Sequence, residues 1–376
     1  MSVRILVGDC RDRLKELPDE SVHCVVTSPP YWGLRDYGIP PTIWGGNDAC
    51  DHEWIERGVV VQSGGTGEAS AKQVTNAGTQ GSVQKPIKTG FCKWCAAWRG
   101  SFGLEPTYQL FVDHAVEVFA ELRRVLKRDG TLWLNLGDSY ASGEIGRHDG
   151  GRTFQDTYDR KSFGERKQAR RPAGIKPKNL VGIPWRVAFA LQADGWWLRQ
   201  DIIWSKPNPM PESVTDRCTK AHEYLFLLSK SERYWFDQDA IAEPVSTSSG
   251  GGRAIGRNIY GSSRARGGDR SYSGGFPNEG TRNKRSVWEV TTQPFSEAHF
   301  ATYPPALIEP RILAGCPEDG TVLDPFGGAG TTGLVADRLK RDAILIELNP
   351  AYAEMAERRI RGDAALFSEV AMEAVA

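Results

Sequence analysis

Short apolar runs alternate with amphipathic ones along most of this chain. "VRILVGD" (residues 3–9) reads as a strand ending at Gly8 and Asp9. "CRDRLKELPDES" follows as a short helix stopped near Pro18, then "VHCVVTS" as the next strand. Residues 108–127 place Phe111, Ala115, Val118, Leu122 and Val125 at helical spacing, with Gly130 as the stop. "TLWLNLGDS" is a buried strand, "PWRVAFALQADGWWLRQDIIWSK" a helix followed by a strand, and "HEYLFLLSKS" another strand. Near the C-terminus, "TVLDPF", "TTGLVADRLK", "AILIEL" and "PAYAEMAERRI" alternate strand and helix. Asn349 and Pro350 supply the cap and first position of the last helix. This rhythm predicts an α/β fold, a mostly parallel central sheet with helices on both faces.

Three stretches interrupt the rhythm. Residues 45–100 are rich in Gly, Thr and Gln and contain four potential metal ligands. Residues 141–178 carry ten Lys/Arg against five acids. Residues 246–286 are Gly/Ser-rich with eight Lys/Arg against two acids. Lys plus Arg and Asp plus Glu each total 47, so the neutral sum hides two basic segments on an acidic remainder. The 376 residues suffice for one large domain with insertions or for two domains. The seven cysteines do not form a disulfide framework, and a reducing, cytoplasmic setting fits them. "MSVRILVGDC" is too short and polar for a signal peptide, and no apolar run is long enough for a membrane span.

"LDPFGGAGTTGLVADRL" lies between a strand and a helix. Gly327, Gly328 and Gly330 permit a tight turn and close approach of a ligand to the backbone. Glu347 ends the next strand, where a carboxylate can accept from ribose hydroxyls. The loop lacks the Gly-Lys-Ser/Thr ending of a phosphate-binding loop. The alternative is a glycine turn with no ligand. The sequence context instead favours a nucleoside, and S-adenosyl-L-methionine fits best.

"VVTSPPYWGL" (25–34) ends a core strand in two prolines and two aromatics. Pro29 and Pro30 stiffen the loop at the carboxyl end of the strand, where α/β proteins bind ligands. Ser28 and the Pro29 carbonyl can accept hydrogen bonds, and Tyr31 offers a flat face. The set suits a planar base with an exocyclic amine. Two acceptors make that nitrogen more nucleophilic, and a base inside a duplex must be flipped out to reach them. The bland reading is a proline turn whose aromatics pack the core. The glycine loop in the same chain argues against it.

With both motifs in view, the chain resembles the DNA amino-methyltransferases, which methylate N4 of cytosine or N6 of adenine. "TSPPYW" resembles their catalytic motif and "DPFGGAGTT" their cofactor motif, in the order of the β group. "VGD" (7–9), "GTLWLNLGDSY" (130–140), "KPNPMPESVTDRCTKAHEYLFLLSK" (206–230) and "HFATYPPALIEP" (299–310) also match. The resemblance covers most of the chain outside the three interruptions. It implies a Rossmann-like methyltransferase fold and S-adenosyl-L-methionine as cofactor. It further implies that Ser28, Pro29, Pro30 and Tyr31 form the catalytic loop. Asp324, Phe326, Gly327 and Gly330 would form the cofactor loop, with Thr331 and Thr332 near the methionine carboxylate. Glu347 would bind the ribose, Asp9 would lie near the adenine, and Phe300 and Pro304 would line the methionine side. A serine at the first catalytic position goes mostly with N4-cytosine in the family, so cytosine is favoured and N6-adenine is the alternative. C5 methylation is disfavoured because no Pro-Cys dipeptide supplies its nucleophile.

Cys50, His52, Cys92 and Cys95 have the close pairs of a structural zinc site, with Cys-x-His less usual than Cys-x-x-Cys. Free thiols or a redox dithiol are the alternatives. His222 reads as structural. The basic stretches suit contacts to double-stranded DNA phosphates. In β-group relatives the target-recognition region falls near 241–292, where Tyr260, Tyr272 and Phe276 are interleaved with arginines. The expected organisation is a catalytic domain of 1–44 and 101–240, including the basic loop 141–178. To it are added the insertion 45–100, the recognition region 241–292 and the cofactor-binding part 293–376. A homodimer and a cognate restriction nuclease are open as partners. A methyltransferase of RNA or protein amides, or a non-catalytic DNA-binding protein, are the rival functions.

Overall fold

A computed structural model describes residues 1–34, 38–57, 87–141, 175–245, 280–293, 302–364 and 369–374. From the N-terminus, β1 (Ser2–Val7), α1 (Cys10–Lys15) and β2 (Val22–Thr27) lead into four short strands. These are β3 (Thr42–Trp44), β4 (Trp54–Arg57), β5 (Ile87–Cys92) and β6 (Trp98–Gly100). Then come α2 (Tyr108–Val125), β7 (Leu126–Leu136), α3 (Ile183–Ala193), β8 (Trp197–Ser205) and β9 (His222–Ser229). The short strands β10 (Glu243–Pro244), β11 (Thr281–Arg282) and β12 (Val287–Glu289) precede α4 (Pro305–Gly315). The chain closes with β13 (Thr321–Asp324), α5 (Thr331–Arg338), β14 (Asp342–Glu347), α6 (Pro350–Asp363) and β15 (Glu369–Glu373).

A nine-stranded sheet runs in the order β12-β8-β9-β7-β2-β13-β14-β1-β15. Only β9 pairs antiparallel, with β7 on one side and β8 on the other. The period-two alternation of each strand feeds two separate cores. Leu6, Val22, Val25, Leu132 and Leu134 face α1, α2 and α3. Val3, Ile5, Cys24, Val26 and Trp133 face α4, α5 and α6. Helices therefore cover both faces, as the alternating pattern predicts, and a sheet buried on both sides reads as near-continuous apolar runs.

Local signals set most boundaries. The Thr107 hydroxyl accepts from the Leu110 amide to start α2, and the Asn349 side chain accepts from the Ala351 amide to start α6. Two boundaries differ from the sequence expectation. Helix α2 ends at Val125, and β7 begins at once, at Leu126, rather than at 131. Gly130 lies inside β7, where a Cβ would come within 2.9 Å of the His23 carbonyl. It serves a close strand approach beside the register shift between Val22 and Cys24, and not a helix stop. Strand β15, which pairs parallel with β1, is not foreseen by the apolar pattern, because five residues with a single buried position (Val370) carry little periodic signal.

The described part of residues 45–100 supplies β4, β5 and β6, which join β3 from just before this stretch in a separate antiparallel sheet of order β3-β6-β5-β4. The basic stretches at 141–178 and 246–286 lie mostly outside the described residues, as do Tyr260, Tyr272 and Phe276. No described helix is long and apolar enough to cross a membrane.

Candidate active site

The parallel strands β1, β2, β7, β13 and β14 all end at one edge of the sheet, and the antiparallel β9 begins there. That edge collects both predicted loops. The Ser28–Tyr31 loop follows β2, the glycine loop follows β13, Glu347 ends β14, and Asp9 lies just past β1.

Ser28 and Tyr31 sit together. The Ser28 hydroxyl donates to the Tyr31 phenol at 3.3 Å. The Tyr31 hydroxyl donates to Glu223 Oε2 at 2.7 Å, and the Asn135 amide donates to both Tyr31 and Glu223, the latter at 2.7 Å. The Lys206 ammonium pairs with the other Glu223 oxygen. Burial pushes the Glu223 carboxyl up, but the Lys206 charge and the hydrogen bonds from Lys206, Tyr31 and Asn135 together outweigh it and hold the group below the usual glutamate range. Gly137 makes room for the Tyr31 ring, since a Cβ there would lie 2.4 Å from its edge. Buried Pro29 and half-buried Pro30 shape the turn, and Pro30 packs where a Gly103 Cβ would come within 2.9 Å. Trp32 is 5 % exposed and its indole N–H donates to the Glu105 carbonyl at 3.0 Å.

The glycine loop is fastened from within. Asp324 is fully buried and accepts from Thr27 and Tyr303 at 2.7 Å, from Thr332 at 2.6 Å and from the Phe326 amide at 3.1 Å. Burial raises its pKa against these donors. Gly328 and Gly330 adopt φ of +51° and +75°, and a Cβ on Gly330 would lie 2.8 Å from the Ala356 methyl. Gly327 packs within 3.1 Å of Leu345 by the same measure. Thr331 accepts from Arg359 at 2.9 Å. Pro304 is buried at the start of α4. Phe300 lies outside the described residues.

Glu347 and Asp9 flank this loop. Glu347 accepts from the Gly328 and Asn349 amides, each at 2.8 Å, and burial raises its pKa. Asp9 caps α1 and binds Arg11 through its amide at 2.9 Å and its guanidinium at 2.8 Å. Burial would raise the Asp9 carboxyl, but Arg11 outweighs it and lowers the pKa.

Four residues at this edge are not legible as site residues in the sequence: Asn135, Lys206, Glu223 and Arg311. Arg311 is fully buried on α4, its guanidinium 5.8 Å over the Tyr303 ring, and it donates to the Asn135 carbonyl oxygen at 3.4 Å. Burial lowers its pKa to about 10. It thus stands between the tyrosine that holds the glycine loop and the amide that holds Tyr31. The one available signal is Glu223, an acid at the head of an apolar strand. His222, beside it, packs edge-on against Tyr224 at 5.4 Å, in keeping with a structural role.

The family model described as DNA methylase, for the N6/N4 group, matches residues 22–358. The chain belongs to the N6/N4 DNA methylase family. Among its relatives, the type II methyltransferase M.SmaI of Serratia marcescens is 39% identical over 361 residues, 96% of this chain and 91% of the relative. The type II methyltransferase M.Cfr9I of Citrobacter freundii is 39% identical over 358 residues, 95% of this chain and 87% of the relative. Among solved structures, the cytosine-N4-specific PvuII DNA methyltransferase superposes with a TM-score of 0.53 at 16% identity. That match covers 96% of this chain and 86% of the other, and it establishes the shared fold.

Cys50, His52, Cys92 and Cys95 converge although 39 residues separate the pairs in sequence. Their ligand atoms all lie within 4.8 Å of one another. Cys50 and Cys92 sulfurs are 3.9 Å apart, and the Cys95 sulfur is 3.4 Å from His52 Nδ1. A tetrahedral zinc with Zn–S near 2.3 Å and Zn–N near 2.0 Å would separate its ligand atoms by roughly 3.5–3.8 Å. The donor set fits such an ion.

Proposed function

We propose that the protein is a type II DNA methyltransferase that uses S-adenosyl-L-methionine to methylate N4 of a flipped cytosine. The carrying observation is the Ser28–Tyr31 pair, anchored by Glu223 and Asn135 at the sheet edge that also bears the glycine loop. S-adenosyl-L-methionine supplies a sulfonium-bound methyl, an electrophile for an amine lone pair. Ser28 and the Pro29 carbonyl accept the N–H hydrogens of the target amine and turn its lone pair toward that methyl. Tyr31, its phenol tied down, presents its ring to the base. As the N–C bond forms and the S–C bond breaks, the amine loses one proton. In this reading the Ser28 oxygen accepts that proton as it passes to water. Asp324 and Thr332 keep the glycine loop in the conformation that exposes its backbone to the cofactor, and Glu347 takes the ribose hydroxyls, with Asp9 near the adenine. Thr331, Phe300 and Pro304 complete the methionine side in this reading. The Cys50, His52, Cys92 and Cys95 cluster holds a structural zinc, and the basic stretches at 141–178 and 241–292 carry double-stranded DNA.

The cytosine assignment rests on Ser28. Nucleoside mass spectrometry on DNA incubated with the enzyme and isotopically labelled S-adenosyl-L-methionine tests it. Label on N4-methylcytosine is the expected outcome. Label on N6-methyladenine would keep the reaction and overturn the base assignment.

A further inference from the structure

The zinc reading and the cofactor reading meet in a feature that neither includes. We propose that the Cys50, His52, Cys92 and Cys95 metal centre builds one wall of the cofactor site, so that metal occupancy sets cofactor affinity. The proposal rests on both readings.

The small sheet β3-β6-β5-β4 packs Trp44 and Trp98 into the main core, and the four Cys/His side chains lie in its β3–β4 connection and around its β5–β6 turn. Sheets this small need a staple to hold their shape. Cys92 ends β5, and its amide donates to the Ala97 carbonyl at 2.8 Å, closing the knuckle immediately before β6. Gly46 leaves the space on the other side, since a Cβ there would lie 2.9 Å from the Cys95 sulfur. A metal at this point would therefore tie the segment that follows β3, through Cys50 and His52, to the turn that precedes β6, through Cys92 and Cys95. Those strands carry Trp44 and Trp98, which are paired in register.

From these two tryptophans an aromatic stack leads to the glycine loop. Trp98 and Trp44 both stack on His114, at 5.4 and 4.5 Å. Trp44 stacks on Phe102 at 5.3 Å, and Phe102 stacks on Phe326 at 5.7 Å. Phe326 belongs to the glycine loop itself. A second route leads to Asp9. The Arg11 guanidinium lies 3.8 Å over the Trp44 ring and donates to the Ile43 carbonyl at 2.7 Å while it binds Asp9. Strand β3 thus braces both Phe326 and Asp9, on two sides of the proposed adenosine position. Strand β3 is held to β6 by three strand pairs and by the Trp44 indole N–H, which donates to the Gly100 carbonyl at 3.3 Å, and the metal would add a tie at the other end of this pair.

The experiment is calorimetric titration of S-adenosylhomocysteine into four samples: the protein as purified, the chelator-treated protein, Cys95→Ser and Trp44→Ala. Metal content is measured by mass spectrometry, and circular dichroism checks the main fold. The purified protein should hold one zinc per chain. The chelated protein and Cys95→Ser should lack it and bind about tenfold more weakly, the factor set by roughly one lost aromatic contact. Zinc addition should restore the chelated sample but not Cys95→Ser. Trp44→Ala should keep zinc yet bind weakly, which separates the wall from the metal if removal of zinc unfolds the chain. Purified protein without metal, or metal-free protein with unchanged affinity, would overturn the proposal while leaving the cofactor reading intact. Failure of the zinc-loaded protein to bind S-adenosylhomocysteine would instead overturn the cofactor reading, and the proposal with it.

Discussion

Tyr31 is useful to a flipped base only if its ring is held still, and Asn135 of β7 and Glu223 of β9 do that. Glu223 is central because it accepts from Tyr31 and Asn135 and pairs with Lys206. Replacing it by Gln leaves the Lys206 charge without a carboxylate in a site where both side chains are less than one-fifth exposed. Glu223→Gln should cost roughly 2–3 kcal/mol, below the value for a fully buried broken pair. It should also lower the methylation rate more than it changes cofactor affinity, read by single-turnover kinetics beside calorimetry. The pH dependence has a definite sign. The folded Glu223 pKa lies below its ordinary value of 4.5, so the pairing contributes fully above pH 4.5 and is lost as pH falls through the folded value. The difference in melting temperature between wild type and Glu223→Gln should therefore be constant near neutrality and shrink in that acid window. A difference that persists unchanged well below it would show that the Glu223 charge is not the stabilising feature. Ser28 and Tyr31 could be read from the sequence because polar and aromatic residues do not normally end a core strand. Glu223 and Asn135 could not, since each looks like one polar residue in an apolar strand until the sheet brings them together.

At the scale of elements, two glycines test the packing of the two loops independently. Gly137, after β7, gives the Tyr31 ring its place, and Gly330 begins α5 at φ +75° against α6. Gly137→Ala should push the Tyr31 ring off its partners and depress catalysis. Gly330→Ala combines left-handed strain with a 2.8 Å approach to Ala356, so it should destabilise the fold by about 1–3 kcal/mol. Chemical denaturation and activity measured on both variants would distinguish them: Gly137→Ala with normal activity would remove Tyr31 from the mechanism. The element pattern itself was largely legible. Helices α2, α5 and α6 and strands β1, β2, β13 and β14 fall where apolar periodicity and capping residues place them. The boundary between α2 and β7 was not, because Leu126 suits either element and pairing with β2 decides it.

For the whole molecule, charge segregation should govern association with DNA. The net charge is zero, yet the stretches at 141–178 and 246–286 are strongly basic. Binding to DNA should therefore weaken steeply with salt, the logarithm of affinity falling with a slope of about −0.9 per phosphate contacted. Neutralising arginines 264, 266 and 270 together should reduce that slope by up to roughly 3, measured by fluorescence anisotropy, and an unchanged slope would exclude this stretch from the phosphate contacts. The sequence by itself determined the α/β class, both loops and the two close Cys/His pairs, because each depends on residue types at short spacing. Only the tertiary structure decided that Asn135, Lys206, Glu223 and Arg311 meet behind Tyr31, and that the Cys/His sheet leans through Trp44 and Phe102 on Phe326. Those contacts join residues from separate strands and helices across one sheet edge, and sequence spacing carries no record of which strands become neighbours.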